Sequence, residues 1–355
     1  MSRLEQVWGE HGWQSWALWP VSILYRLVIV CRRFAYHRGW AKTHEVSLPV
    51  VVVGNITVGG TGKSPLCLFL VRFFQAAGWR PAIVSRGYGG ERHLTPHMVA
   101  ASDTPANAGD EPLMLFQQSG VPVCVCVKRS SAVEHIAAHS NADIVFADDG
   151  LQHLAMPRVA EVVVLDGRRG LGNGCLLPAG PLRESASRLG DADVIAVQGT
   201  DRLHDSLQTI IESRGANDIE VNRFHLQLTE VIALSDGRRL PLGDFVDKPI
   251  IAMAGIGHPD RFFDALRSHG LQITGIAKPD HHQYSFDDFA IQPGLPVFVT
   301  AKDAVKLKIL AKSQQICPVD IYEVPANVIV SEPLQESIAR LESALRTSRG
   351  NQSSV

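Results

Sequence analysis

The sequence predicts an α/β protein: a mainly parallel sheet domain, then a second, smaller α/β domain. Short, continuous β-branched runs such as PVVVVG (49–54) read as strands buried on both faces. Helix-like stretches separate several such runs through the first two thirds of the chain. Near residue 217 the texture changes to alternating apolar and polar residues around Asp236-Gly237, a good hairpin turn, and a second α/β series follows.

Taken in order, residues 1–45 are a different material from the rest. Five of the six Trp lie here, at Trp8, Trp13, Trp16, Trp19 and Trp40. The run over 16–32 is apolar but interrupted by Ser22 and Arg26, and shorter than the roughly 20 residues a spanning helix needs. Six Lys/Arg face three Glu in this stretch, with Arg32, Arg33, Arg38 and Lys42 following the apolar part. Trp rings at headgroup level beside a basic cluster predict contact with an anionic membrane surface without crossing it.

Residues 46–216 carry strand signals at 49–54, 82–85, 121–127, 143–147, 162–165 and 194–197. Helical stretches are predicted over 63–77, 111–118, 131–139 and 202–213. Residues 217–245 read as a hairpin linker. Residues 246–355 contain strands at 249–254, 271–276 and 297–300, helices after His258 and Asp303, and a terminal helix over 332–346. The polar tail over 347–355 is predicted to fray.

Composition removes several function classes. A net charge of −2 and a pI near 6.7 supply no global basic field for nucleic acid. With 45% apolar residues the chain is not disordered, and 355 residues can bury a core without disulfides. The six Cys form no paired C-x-x-C block and read as reduced core thiols. No cleavable signal peptide pattern is visible.

The chemistry concentrates in loops after strands. TVGGTGKS (57–64) follows a Val-rich strand and opens a helix, which is the setting of a P-loop. Backbone N–H groups of Thr57, Val58, Gly59, Gly60, Thr61 and Gly62 can approach phosphate oxygens, aided by the helix N-terminus. Lys63 would reach the β/γ-phosphates and Ser64 a Mg²⁺ ion. Thr57 stands where the strict pattern has Gly. An apolar strand ending in Asp148-Asp149 is the natural acidic complement. GDEP (109–112), SRGYGG (85–90), the Arg183–Glu184 pair and DHHQY (280–284) are further candidates. Each of them could also be a helix cap, a turn or a surface pair.

Together these segments resemble one family, the tetraacyldisaccharide 4′-kinases of Gram-negative bacteria. The matching motifs are GNITVGGTGKSP, SRGYGG, GDEP, DDGLQH, LLPAGPLRE, DHHQY and TAKDAVK, in the family's order over most of the chain. Ala301 departs from the Glu expected before Lys302-Asp303, and Ser64 replaces the commoner Thr. The resemblance implies transfer of the ATP γ-phosphate to the 4′-hydroxyl of an acylated glucosamine disaccharide 1-phosphate, at the cytoplasmic face of the inner membrane. It implies ATP and Mg²⁺ as cofactors and a two-stranded linker between two α/β domains. It assigns Asp110, assisted by His281, to the acceptor hydroxyl. Lys63 serves the nucleotide; Ser64, Asp148, Asp149 and Glu184 serve the metal. Arg86, Tyr88 and Arg183 lie towards the substrate.

Three rival readings remain. A membrane-peripheral partition-type ATPase carries a signature Lys where Val58 stands here. A P-loop kinase or ligase of a soluble metabolite would leave the Trp-rich N-terminus without a use. A non-enzymatic lipid-binding protein would not need the P-loop.

Overall fold

The computed structural model describes residues 8, 12–199, 202–214, 222–289, 294–312 and 320–352. The first five residues of the expected linker, Cys317 and the last three residues of the tail lie outside them. Contacts divide the chain into two compact units. The first holds Met1–Ser85, Lys128–His225 and Val328–Val355; the second holds Arg86–Val127 and Leu226–Asn327. The boundary expected at 216 therefore misses an excursion: the segment carrying SRGYGG and GDEP belongs with the C-terminal unit.

The chain opens with α1 (Trp13–His37), β1 (Val50–Gly54), α2 (Lys63–Ala76) and β2 (Pro81–Ser85). Within the second unit it then forms β3 (His97–Met98), α3 (Pro105–Ala108), α4 (Asp110–Ser119) and β4 (Val123–Val125). Back in the first unit come α5 (Arg129–His139), β5 (Ile144–Asp148), β6 (Ala160–Asp166), β7 (Val194–Gln198) and α6 (Asp205–Arg214). Strand β8 (Arg223–Gln227) leads into β9 (Glu230–Ala233), β10 (Arg239–Pro241), β11 (Pro249–Ala254), α7 (Pro259–Ser268), β12 (Gln272–Ala277), β13 (Val297–Thr300), α8 (Ala301–Lys312) and β14 (Ile321–Val324). Strand β15 (Asn327–Val330) returns to α9 (Glu332–Gln352).

In the first unit β8, β7, β6, β1, β5 and β2 lie side by side, every pair parallel. All five residues of β1, β2 and β5 and all seven of β6 are buried. This is why their sequences are continuous rather than alternating. Val53 at the end of β1 pairs in register with Asp148 at the end of β5. The P-loop and the acidic pair thus leave the sheet at the same edge, where open α/β sheets place ligands.

The second unit has a sheet in the order β10-β9-β14-β13-β11-β12. Its four central and edge strands β14, β13, β11 and β12 are parallel, and β9 and β10 are antiparallel. Phe245, Phe298 and Tyr322 pack edge to face in its core at centroid separations of 5.0, 5.2 and 5.7 Å. Losing a ring such as Phe298 would cost about 3–5 kcal/mol. The expected hairpin exists, with Arg239 opposite Ile232, but it forms the edge of this sheet. The strands at which the chain changes units are β8 and β15, neighbours in space though about 100 residues apart. That separation hides the two-stranded linker from a local reading.

Helix α1 runs 25 residues, longer than the 16–32 stretch, because Pro20 sits inside it without ending it. By length and composition it could cross a membrane. Its two buried residues are Ser15 and Ser22, while Trp13 (77% exposed), Trp16, Leu24, Leu27 and Val28 face outward. Polar inside and apolar outside is the reverse of a helix on a water-soluble core. Helix α9 also exceeds expectation, continuing to Gln352 through the segment predicted to fray. Cys31, Cys67, Cys124, Cys126 and Cys175 are free thiols. Burial pushes Cys67 well up, and burial with neighbouring Cys126 pushes Cys124 up to about 12, so both stay protonated core side chains.

Candidate active site

The first unit carries the glycine loop that the sequence reads as a phosphate cradle. Gly59 and Gly62 have φ of +95° and +80°, which side chains rarely adopt. Gly54, just upstream, is required for another reason: a Cβ there would lie 2.7 Å from Leu151 Cβ of the DDGLQH turn. The loop is braced from two sides. Val58 N–H donates to Pro181 O at 2.9 Å and Arg183 N–H to Ile56 O at 2.7 Å. Arg169, held by Asp166 at 2.7 Å, donates to Gly60 O at 3.0 Å. Thr57 pairs with Leu182 in an isolated bridge, and buried Thr61 completes the loop.

Lys63 and Ser64 open α2 and meet different aspartates. Ser64 Oγ donates to Asp148 Oδ2 at 3.2 Å. Lys63 Nζ lies 3.6 Å from Asp149 Oδ1, and Arg183 lies 3.2 Å from Asp149 Oδ2. Arg129 donates to the Asp149 carbonyl at 3.0 Å. Burial alone would raise the Asp149 carboxyl, but Lys63, Arg183 and Arg129 outweigh it and hold it below the ordinary value. Glu184 accepts from Gln152 at 2.8 Å and lies 3.4 Å from Arg188.

Of the four expected metal ligands, the structure brings Ser64 and Asp148 into direct contact. It turns Asp149 onto cations and Glu184 onto Gln152 and Arg188. Among the described residues no three His, Cys, Asp or Glu side chains form a ready metal cluster. A P-loop does not need one, because Mg²⁺ there is shared among a hydroxyl, a carboxylate, water and phosphates. The Ser64–Asp148 pair fits that role.

The second unit carries the other constellation. Loops 86–90 and 109–112 touch backbone to backbone: a Cβ on Gly90 would lie 2.3 Å from Gly109 N, and one on Gly109 2.9 Å from Tyr88 O. The glycines of SRGYGG and GDEP are therefore one packing solution. Asp110, 3% exposed, starts α4 and accepts at Oδ1 from the Glu111 N–H at 3.0 Å. Its Oδ2 lies 2.9 Å from His281 Nδ1. His281 has φ of +61°, a strained backbone for this residue type. Tyr88 packs its ring against the imidazole, tilted by 59° with centroids 5.0 Å apart. His282 turns away to Asp288 at 3.2 Å and packs on Tyr284. Arg86 is exposed and, among the described residues, takes no part in this bonding.

Reading the sequence missed several participants. Lys302 Nζ lies 3.3 Å from Glu111, 3.1 Å from Asp280 and 3.8 Å from Asp110. Lys306 Nζ lies 2.8 Å from Asp303 and 3.9 Å from Asp110. Both lysines are in TAKDAVK and Gln152 is in DDGLQH, so the motifs contained them without stating a role. Arg129 and Arg169 lie outside every motif singled out.

Comparison with known proteins shows the family. Residues 14–343 match the family described as tetraacyldisaccharide-1-P 4′-kinase. A protein of Aeromonas hydrophila named tetraacyldisaccharide 4′-kinase is 41% identical over 87% of this chain and 88% of its own length. One of the same name from Alkalilimnicola ehrlichii is 41% identical over 97% of this chain and 99% of its own. The crystal structure of LpxK from Aquifex aeolicus in complex with ATP has the same fold, with a TM-score of 0.72 at 23% identity over 93% of this chain and 99% of that one. The chain belongs to the tetraacyldisaccharide-1-P 4′-kinase family.

Proposed function

We propose that this chain transfers the γ-phosphoryl group of ATP to the 4′-hydroxyl of a tetraacylated glucosamine disaccharide 1-phosphate, giving lipid IVA. The observation that carries this is the pairing of Lys63 with Asp149 and of Ser64 with Asp148 behind β1 and β5. Lys63 follows the migrating phosphoryl as a point charge, and the backbone from Thr57 to Gly62 cradles the phosphates. Ser64 and Asp148 would hold Mg²⁺, with Asp149 and Glu184 as further acids. Bound there, the ion neutralises charge developing on the β/γ oxygens.

In the transfer, the 4′ oxygen forms a bond to γ-phosphorus while the bond from γ-phosphorus to the β–γ bridging oxygen breaks, and ADP leaves. The hydroxyl proton needs an acceptor. Asp110, oriented by His281, is that acceptor in this reading, with Tyr88, Arg86 and Arg183 towards the saccharolipid.

Helix α1 supplies a contact with an anionic membrane surface at the cytoplasmic face of the inner membrane. Ser15 bonds Ala179 O at 2.8 Å, Ser22 bonds Leu176 O at 2.8 Å, Tyr25 bonds Arg183 O at 3.2 Å and Arg33 meets Asp191 at 2.8 Å. Those anchors run along about 27 Å of helix at 1.5 Å per residue. A helix fastened to its own unit over that length favours lying in the interface over crossing it.

Incubation with γ-labelled ATP and detergent-dispersed disaccharide 1-phosphate, followed by mapping of the labelled position, tests the proposal. Label at the 4′ oxygen is expected. ATP hydrolysis indifferent to the acceptor would instead favour a regulatory ATPase.

A further inference from the structure

The pair Asp110–His281 is surrounded by charges from three elements. Glu111 and Asp110 itself come from α4, Asp280 and His281 from the loop after β12, and Lys302, Asp303 and Lys306 from α8. Tyr88 packs against the imidazole from the loop after β2. Lys302 is the hub. Its side chain is 12% exposed, Asp280 Oδ1 holds it at 3.1 Å and Glu111 at 3.3 Å. Asp280 also accepts the His281 backbone N–H at 3.0 Å. The Lys302 Nζ then comes to 3.5 Å from His281 Nε2.

An ammonium only donates hydrogen bonds. A ring nitrogen that accepts from it carries no proton, so the imidazole proton sits on the other nitrogen. That nitrogen, Nδ1, faces Asp110 Oδ2. Asp280 Oδ1 also lies 3.8 Å from Nε2, beyond hydrogen-bond reach, so Lys302 is the partner that addresses this nitrogen.

We propose that Lys302 is a positioning residue for the acceptor-side base: by donating to Nε2 of His281 it fixes the ring tautomer, so that the Nδ1–H is presented to Asp110. Lys302 itself remains charged. Burial would lower its ammonium, but Glu111, Asp110 and Asp280 outweigh burial and raise it above the ordinary value. Lys306, bound to Asp303 and lying 5.2 Å over the Tyr284 ring, adds a second positive charge to the same carboxylate without reaching the imidazole. The inference rests on Asp110 and His281 handling the acceptor proton as proposed above.

The test reads the ring nitrogens directly. Full-length protein labelled with ¹⁵N-histidine in detergent is followed by long-range ¹H–¹⁵N correlation over a pH series, with His281 identified by its loss in His281→Gln. The wild type is expected to show the neutral Nδ1–H form at neutral pH. In Lys302→Met, a share of the ring should pass to the Nε2–H tautomer, read from the same two nitrogen shifts. Lys302→Arg, which keeps a donor and a charge, should behave as the wild type. Turnover in Lys302→Met should fall about 10–100-fold with little change in KM for ATP, and Lys302→Arg should restore it. An Nε2–H or doubly protonated ring in the wild type, or an unchanged tautomer in Lys302→Met, would overturn the proposal. The expected ring state in a protein that fails to phosphorylate the disaccharide would leave Lys302 as the group that sets the His281 tautomer and remove only its assignment to the acceptor hydroxyl.

Discussion

Asp148 and Asp149 are adjacent in the chain, yet one faces a hydroxyl and the other faces two cations. Strand β5 ends at Asp148, whose carboxylate meets Ser64 at 3.2 Å. At Asp149 the backbone turns to φ +49°, and the carboxylate swings to Lys63 and Arg183. A single turn thus separates a carboxylate on the Ser64 hydroxyl from one on the Lys63 and Arg183 cations.

That division predicts different kinetic signatures. Asp148→Asn should raise the Mg²⁺ concentration needed for half-maximal turnover, because Ser64 loses the carboxylate that shares its ion. Lys63→Ala should lower transfer by at least about 100-fold at any Mg²⁺ concentration, because it removes charge at the migrating phosphoryl. A magnesium titration of both folded variants checks this, and near wild-type turnover in Lys63→Ala would sink the P-loop assignment.

Asp110 and His281 should behave as one unit. Each single change, Asp110→Asn or His281→Ala, should lower turnover far more than ATP affinity. The double variant should lose little beyond the worse single one, since members of one proton-handling unit are not additive. Multiplicative losses in a double-mutant cycle would return Asp110 to helix capping and His281 to a structural role.

Stability should carry an acid-sensitive contribution from Asp288. Burial alone would raise its carboxyl. The Lys278 hydrogen bond, the Ser285 N–H at 2.9 Å and His282 outweigh burial and pull it from 3.8 to about 2. A depressed carboxyl stabilises the fold above its unfolded value, near 3.8, and that contribution is lost as pH falls through about 2. Asp288→Asn should therefore cost about 2 kcal/mol at neutral pH. Denaturant melts of the two proteins should converge as pH drops from about 4 towards 2, and a gap independent of pH would contradict the assignment.

Membrane contact should depend on ring burial more than on charge. Replacing Trp13 and Trp16 with Gln leaves Ser15, Ser22 and Tyr25 in place and should still release the protein from anionic vesicles. High salt should release the unaltered protein only in part, because screening does not touch apolar burial. Retention of the double Gln variant in a vesicle flotation assay would point to a spanning helix.

What the sequence revealed and what it hid follow from how far apart the partners lie. The P-loop was readable because the strand, glycines, lysine and hydroxyl are contiguous over 49–64. So was the acidic strand end, which needs only a run of apolar residues and two carboxylates. The excursion of Arg86–Val127 into the second unit was not, since nothing local marks where a chain changes partners. Expecting GDEP and DHHQY in different domains followed from that, and the structure puts both in one unit. Arg129, Arg169 and Lys302 escaped for a related reason: a charge paired across 20 to nearly 200 residues leaves no spacing to detect.

The loop over 173–183 has two tenants. On one side it takes hydrogen bonds from Trp8, Ser15, Ser22 and Tyr25; on the other it gives Pro181 O and Leu182 to the P-loop. The N-terminal helix is consequently no detachable tag. Cutting it away to obtain a soluble enzyme would strip donors from Leu176, Pro178, Ala179 and Arg183 and loosen the strut under Val58. A truncated protein would then report weak nucleotide binding as though the lipid mattered to ATP, when the real damage is to the scaffold. Redesigning only the outward-facing rings is the cleaner route to solubility.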